Sequence, residues 1–248
     1  MLFNDGSFIF NLPITEEIIR SRISDGGKVG IFIAVSTTSD SVNQNIIEGE
    51  VVKFAEIRTI KQDVEIISMA YNILNMLGVE DLNLVINSVG SDETKEKYAK
   101  ILKDYLSSHL NELSEVSKVR YNKNPLRILD SKSSNEQEII KNAPSILNSL
   151  NSQELKHFNQ TQRFLDQLNI PYTVDSQLVR GLDYYTLTTF EIRTSQIGSQ
   201  DALCGGGRYN NLVKQLGGKL IPAMGFAAGM ERLMLALSLD KEDKPSHI

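Results

Sequence analysis

Apolar residues follow strand-like and helix-like patterns through the first part of the chain. The β-branched runs at residues 28–36 and 50–60 are separated by a polar loop, which predicts an antiparallel pair of strands. Apolar positions then recur at helical spacing over residues 64–77, and Gly78 is expected to end that helix. The short apolar run at residues 82–88 predicts a further strand.

The middle of the chain differs from its two ends in composition and in the spacing of its apolar residues. Residues 90–170 are rich in Lys, Glu, Ser and Asn at helical spacing, whereas strand patterns resume from residue 171 and finish in a strand that leads into a helix. Because strands lie on both sides of a helical block, we predict an α+β fold with one mixed sheet and an inserted helical domain. The predicted boundaries are 1–89 and 171–248 for the sheet domain and 90–170 for the insertion.

Composition excludes several classes of protein. A chain of 248 residues with 41% hydrophobic content can fill a core, and its net charge of −5 argues against a surface that neutralises many phosphates. The sequence has no apolar run long enough to span a membrane and no signal-peptide pattern, so we expect a cytoplasmic protein with no membrane partner. The single Cys204 cannot form an internal disulfide, and the three histidines lack metal-ligand spacing, so no metal site is predicted.

The heptapeptide RGLDYYT combines an arginine with two tyrosines. If it is a strand, Arg180 and Tyr184 lie on one face and Tyr185 on the other. One interpretation is a half-buried strand with an internal ion pair. The other is a ligand pocket, in which the guanidinium binds a carboxylate or phosphate and the phenols form flat walls.

Two glycine-containing segments add candidate chemistry. Three glycines stand between a predicted strand and helix, which indicates that something approaches the backbone closely; they are Gly205, Gly206 and Gly207. A tight turn is the alternative, and the run matches neither a phosphate loop nor a dinucleotide fingerprint. Farther on, Gly229 precedes a predicted helix with Arg232 in its first turn, where a cation indicates a bound anion unless Glu231 simply neutralises it.

Taken in order, these motifs resemble those of histidyl-tRNA synthetases. The matching segments are LVRGLDYYTLTTFE, GGGRYNNLVKQLGG and PAMGFAAGMERL, and the segments LVINSVGS and NPLRILDSK are similar to the bacterial form. The resemblance covers roughly residues 64–237. It implies a class II synthetase core, in which an antiparallel sheet flanked by helices binds ATP and histidine.

The resemblance also implies roles for individual residues. Arg180 matches the arginine that holds the histidine carboxylate and the α-phosphate of ATP, and is the candidate catalytic residue. Arg232, after Gly229, matches an arginine that contacts ATP phosphate. The candidate histidine-binding residues are Tyr184, Tyr185, Tyr209, Gly205, Gly206 and Gly207. ATP with Mg²⁺ is the expected cofactor of an active form.

The N-terminal part departs from the family pattern. Ile14 stands where the family has a glutamate that receives the histidine amino group, and Thr38 stands where it has an ATP-binding arginine. Asp40 and Lys53 replace a further glutamate and a glutamine. The first class II motif, which builds the family's dimer interface, and the anticodon-binding domain have no counterpart in this sequence. We therefore expect weak or undetectable ligase activity from this chain alone.

Three functional hypotheses follow. The chain is a synthetase-derived core that keeps part of a histidine and ATP pocket, or a histidine-sensing regulatory paralogue similar to the regulatory subunit of ATP phosphoribosyltransferase, or a fragment of a split histidine–tRNA ligase. The expected partners are histidine and ATP, with tRNA less favoured in the absence of an anticodon-binding domain. A homodimer or a partner protein is the expected assembly.

Overall fold

The computed structural model describes residues 30–33, 49–52, 60–179, 184–198, 201–215, 217, 220 and 222–239. The strands in this part of the chain are β1 Gly30–Ile33, β2 Gly49–Val52, β3 Asn83–Ser88, β4 Tyr172–Val174, β5 Thr186–Arg193, β6 Ala202–Arg208 and β7 Met224–Ala228. The α-helices are α1 Ile60–Met76, α2 Asp92–Ser107, α3 Glu115–Lys123, α4 Ser134–Lys141, α5 Ser152–Gln167, α6 Leu212–Gln215 and α7 Met230–Leu239. Short 3₁₀ helices occur at Pro125–Ile128, Ile146–Ser149 and Ser195–Ile197.

A five-stranded sheet forms the centre, in the order β4-β3-β5-β6-β7. Strands β3 and β4 are parallel, and the other neighbours are antiparallel. The predicted antiparallel pair at the start of the chain is confirmed, because Gly30 of β1 lies opposite Val52 of β2. A mixed sheet flanked by helices confirms the predicted α+β, class II synthetase-like fold.

Helix α1 packs one side of the sheet because its apolar stripe faces inward. Ile66 and Ile67 are fully buried in a cluster with Phe190 of β5 and with Leu165 of α5. Gly78 follows the helix with φ of 84°, a conformation that costs an L-residue more than glycine. The predicted helix and its predicted end are therefore confirmed.

Four helices, α2 to α5, lie between β3 and β4 in sequence. Helices α2 and α4 contribute Tyr98, Leu102 and Ile139 to a second apolar cluster, whereas Phe158 and Leu165 of α5 belong to the first. Helix α5 begins with a capping box, in which Asn151 and Glu154 exchange hydrogen bonds with each other's backbone. Glu154 also accepts from Ser91 N at 2.7 Å and so joins the start of α5 to that of α2. The boundaries of the predicted inserted domain stay a prediction.

The three glycines do not lie between a strand and a helix, as predicted, but inside β6. Gly205, Gly206 and Gly207 pair with β5 on one side and β7 on the other. A Cβ on Gly206 would overlap Gly225 O and lie 2.8 Å from Phe190 Cε1. The predicted placement was wrong because the glycines lie within a central strand, but the predicted close approach to the backbone is confirmed, since a side chain at Gly206 or Gly207 would clash with neighbouring strands or rings.

Among the described residues, no helix is long and apolar enough to cross a membrane. The positions where the sequence departs from the family pattern, Ile14, Thr38, Asp40 and Lys53, lie outside the described residues.

Candidate functional site

Three tyrosines come together where β5 begins and β6 ends. The ring centroids of Tyr184 and Tyr185 are 4.7 Å apart, and that of Tyr209 lies 5.7 Å from Tyr184 and 6.4 Å from Tyr185. The predicted strand alternation of Tyr184 and Tyr185 is wrong, because Tyr184 lies in a turn and β5 begins only at Thr186. A turn does not send neighbouring side chains to opposite faces, so both rings join one cluster.

Gly207 forms the floor beneath this tyrosine cluster. A Cβ at Gly207 would lie 2.8 Å from Tyr185 Cδ1 and 2.7 Å from the backbone oxygen of Thr188. The ring of Tyr185 therefore occupies the space that any side chain at this position would need. Gly206, one residue earlier, points to the opposite face, toward Phe190 and α1.

The helical segment between β3 and β4 holds this cluster in place. Lys95 of α2 donates from Nζ to Tyr185 O at 2.9 Å and is paired with Asp92 at 2.7 Å. Asp92 in turn accepts from Asn211 Nδ2 at 2.7 Å, just after the end of β6. Both ends of the tyrosine cluster are therefore tied to the first turn of α2.

A cavity of about 370 Å³ adjoins Tyr185 on the side of these helices. Its volume falls in the range of small-molecule sites, roughly 300–1,000 Å³. The segment NPLR contributes one wall, so the sequence motif that resembles the bacterial enzymes lies next to the tyrosine cluster. The lining residues are Val89, Asp92, Lys95, Glu96, Ala99, Lys123, Asn124, Pro125, Leu126, Arg127, Val179 and Tyr185.

The two residues predicted to contact ATP phosphate lie at the other end of β6. Gly229 N donates to Leu203 O at 3.0 Å, and Arg232 Nη1 donates to Ala202 O at 2.8 Å. Arg232 stands in the first turn of α7, as predicted. At roughly 3.3 Å per residue, the six steps from Ala202 to Arg208 separate this end from the tyrosine cluster by about 20 Å. A ligand that touched both ends would have to be extended.

Arg180, the candidate catalytic residue, lies outside the described residues. Its neighbours in sequence are positioned, because Val179 lines the cavity and Tyr184 belongs to the tyrosine cluster. The chain thus enters and leaves the segment that holds Arg180 beside the candidate site.

A buried polar cluster that the sequence did not predict lies on the face of β6 that packs against α1. Asp63 of α1 is fully buried and forms an ion pair with Arg208, whose Nη2 donates to Oδ1 and whose Nε donates to Oδ2 at 3.2 Å. Thr188 Oγ1 donates to Oδ2 at 3.0 Å, and His157 Nε2 lies 2.7 Å from the same oxygen. Because an ionised carboxylate only accepts, that histidine nitrogen carries the hydrogen.

The surroundings of Asp63 favour its charged form. Burial alone would raise the pKa of Asp63, but the hydrogen bond from His157 and the charge of Arg208 outweigh it, so the pKa lies below its ordinary value. The sequence did contain a signal, because Asp63 falls on the apolar stripe of α1 with Ile67, Ala70 and Leu74. A carboxylate at such a position needs a buried partner.

Within the part of the chain that the structure describes, no group of three or more His, Cys, Asp or Glu residues could hold a metal ion. Cys204 is buried in β6. The chemistry that the described site offers is therefore aromatic stacking, hydrogen bonding and, from Lys95, Arg127 and Arg232, positive charge.

Comparison with known proteins identifies relatives of this chain. A family model described as histidyl-tRNA synthetase matches residues 57–233. A histidine–tRNA ligase from Lactiplantibacillus plantarum is 47% identical over 187 residues, which are 74% of this chain and 44% of that protein. One from Halothermothrix orenii is 51% identical over 175 residues, which are 71% of this chain and 42% of that protein. The chain spans less than half the length of these relatives.

Solved structures agree with this result. The crystal structure of apo histidyl-tRNA synthetase from S. aureus has a TM-score of 0.62 and 34% identity, covering 79% of this chain and 47% of that one. A structure named as an ATP phosphoribosyltransferase regulatory subunit/histidyl-tRNA synthetase from Bacillus halodurans shares only the fold, with a TM-score of 0.53 and 18% identity over 96% of this chain and 67% of that one. The chain belongs to the histidyl-tRNA synthetase family.

Proposed function

We propose that this chain carries the histidine side of a histidyl-adenylate pocket. The supporting observation is the convergence of Tyr184, Tyr185 and Tyr209 over the Gly207 floor, beside a cavity of suitable size. An imidazole ring has apolar faces and polar nitrogens at its edge. Flat aromatic walls with hydroxyl groups at their tips complement both properties.

The ATP side of the proposed pocket extends along β6. Arg232, with Gly229, is proposed to contact a phosphate of ATP. In adenylate formation the histidine carboxylate attacks the α-phosphorus, and pyrophosphate leaves with the electron pair of the broken P–O bond. Arg180 would hold the carboxylate and the α-phosphate together and stabilise the negative charge that grows during the attack. Mg²⁺ would accompany the ATP phosphates, and we assign it no protein ligand.

By itself, the chain is proposed to have weak or undetectable ligase activity. Ile14 and Thr38 stand where the family resemblance implies a glutamate and an arginine. A hydrogen bond to a charged group contributes about 1.5–3 kcal/mol, so the two replacements would lower the rate by about 10²- to 10⁴-fold if both bonds act in the transition state. Binding of tRNA, a cytoplasmic location, and a homodimer or other protein partner are proposed from family membership alone.

The alternative of a histidine-sensing regulatory paralogue has support from the fold only, whereas the synthetase assignment has support from sequence identity over most of the chain. The two functions differ in one measurable respect. A regulatory subunit would bind histidine and catalyse no exchange between ATP and pyrophosphate. Detectable exchange that depends on histidine would therefore identify a degenerate synthetase, whereas histidine binding without exchange is compatible with both functions.

Thermal melting with and without ligand tests the proposal. A ligand that binds only the folded state stabilises that state by mass action, so histidine is expected to raise the melting temperature of the wild type. Tyr185→Ala should abolish this shift, because it removes the ring that lies over Gly207. Tyr105→Ala is the matched control, since Tyr105 lies near the end of α2, donates to Ile139 O, and should leave the shift unchanged.

Two results would contradict the proposed function. One is a melting temperature that neither histidine nor ATP changes in the wild type. The other is a histidine-induced shift of full size in Tyr185→Ala. Fast histidine-dependent exchange between ATP and pyrophosphate would instead contradict only the expectation of weak activity.

A further inference from the structure

The end of β6 is held from behind the sheet by one buried carboxylate. Asp63 binds the Arg208 guanidinium through both of its oxygens and also accepts from Thr188 and His157. Asp63 is 0% exposed and Arg208 is 3% exposed, so water does not compete for these hydrogen bonds. A fork-to-fork pair of this kind fixes direction as well as distance.

Arg208 and Tyr209 are neighbours in the chain, and their side chains project from opposite faces of the sheet. The side chain of Arg208 reaches back to α1, whereas the ring of Tyr209 joins the tyrosine cluster on the other face. The backbone between them is fixed further, because Tyr209 N donates to Ala223 O at 2.8 Å and Asn210 N donates to Thr186 Oγ1 at 3.2 Å. The ion pair that fixes Arg208 therefore also fixes the backbone from which the Tyr209 side chain projects.

We propose that Asp63 is a positioning residue for the ligand pocket: through Arg208, it sets the location of Tyr209 and of the Gly207 floor. Asp63 lies on the face of the sheet that packs against α1, and none of its hydrogen bonds described above is to a residue of the tyrosine cluster. His157 also binds this carboxylate, so helices α1 and α5 and strands β5 and β6 all meet at Asp63.

The substitution Asp63→Asn tests this role with little change of shape. A carboxamide has one acceptor oxygen and one donor group, so at least one donor of the cluster would face another donor. Glu136→Gln is the matched control, because Glu136 is also 0% exposed and accepts several hydrogen bonds, including Ser114 N at 2.7 Å and Ser117 Oγ at 2.9 Å. Those partners lie among the helices α3 and α4, away from β6.

Two measurements separate positioning from general loss of stability. The first is hydrogen–deuterium exchange of the backbone at residues 202–210, compared with residues 92–107 in the same sample. Asp63→Asn should increase exchange at 202–210 at least about tenfold more than at 92–107, and Glu136→Gln should not. The second is the histidine dissociation constant by calorimetry, which should rise at least about tenfold in Asp63→Asn only.

Only the second measurement rests on the proposed function. The positioning role and the proposed function can therefore fail separately. If the wild type does not bind histidine, the proposed function fails, and the exchange data still decide whether Asp63 positions β6. If exchange at 202–210 and histidine binding respond alike in Asp63→Asn and Glu136→Gln, the positioning role is overturned. Should Asp63→Asn not fold, Thr188→Val removes one donor to the same carboxylate, keeps the ion pair, and is expected to change both measurements in the same direction by a smaller factor.

Discussion

Replacing Gly206 by alanine should destabilise the protein more than the addition of a single methyl group suggests. The new Cβ would overlap Gly225 O and lie 2.7 Å from Phe226 Cβ and 2.8 Å from Phe190 Cε1. The first two atoms belong to the backbone of β7 or are bonded directly to it, so they cannot move without a shift of that strand. Phe190 is fully buried, and close packing of the core resists displacement of its ring.

The expected magnitude follows from these contacts. Overpacking a core usually costs about 1–3 kcal/mol, and a clash with a paired strand belongs at the upper end of this range. For a chain of this size, 1 kcal/mol lowers the melting temperature by about 2–4 °C, so Gly206→Ala should lower it by about 6–12 °C. Far-UV circular dichroism or calorimetry measures the change.

Gly229→Ala is the control for this prediction. It is the same chemical change, but the nearest atom to its new Cβ is Arg232 Cδ at 3.6 Å, an ordinary contact distance. Its melting temperature should stay within about 2 °C of the wild type. The reasoning is refuted if Gly206→Ala melts within the same margin, or if the control is destabilised as much as Gly206→Ala.

Two further predictions follow from the described contacts. Gly207→Ala should weaken histidine binding at least about tenfold, because its Cβ would displace the Tyr185 ring at 2.8 Å; an unchanged dissociation constant in calorimetry would contradict the proposed floor of the pocket. Glu154→Gln should lower the free energy of unfolding at pH 7 by about 2–3 kcal/mol, because the carboxylate caps α5 and accepts from Ser91 and Thr94. Burial alone would raise the pKa of Glu154, but these hydrogen bonds lower it below its ordinary value of 4.5, so the stabilisation by the charged form is present above that pH and is lost as the pH falls through the lower folded-state pKa. Urea denaturation should therefore show a smaller difference between wild type and Glu154→Gln at pH 3 than at pH 7, and a constant difference would be evidence against the assigned charge.

Local patterns in the sequence were sufficient for several parts of the fold. The helix over residues 64–77, its end at Gly78 and the antiparallel pair β1–β2 could all be predicted, because helical spacing, a positive-φ glycine and β-branched runs act over a few residues. The order of the three glycine- and arginine-containing motifs also indicated the family, since it depends on residue identity alone.

Other features needed contacts between distant parts of the chain. The alternation predicted for Tyr184 and Tyr185 failed because β5 begins only at Thr186, where pairing with β6 starts. The three glycines were placed in a connection, because nothing near them in sequence shows that β5 and β7 pair on either side and that Phe190 and Tyr185 pack over them.

The sequence by itself determined most of the elements, the family and the residue types of the candidate site. Only the tertiary structure decided which of those residues meet. Asp63 and Arg208 are 145 residues apart in the chain, and the apolar stripe around Asp63 indicates only that this carboxylate needs a partner, not which residue supplies it. Burial removes both from water, and a buried charge is stable only when another charge or several donors compensate it. That requirement joins α1 to β6 behind the tyrosine cluster, and it acts through space rather than along the sequence.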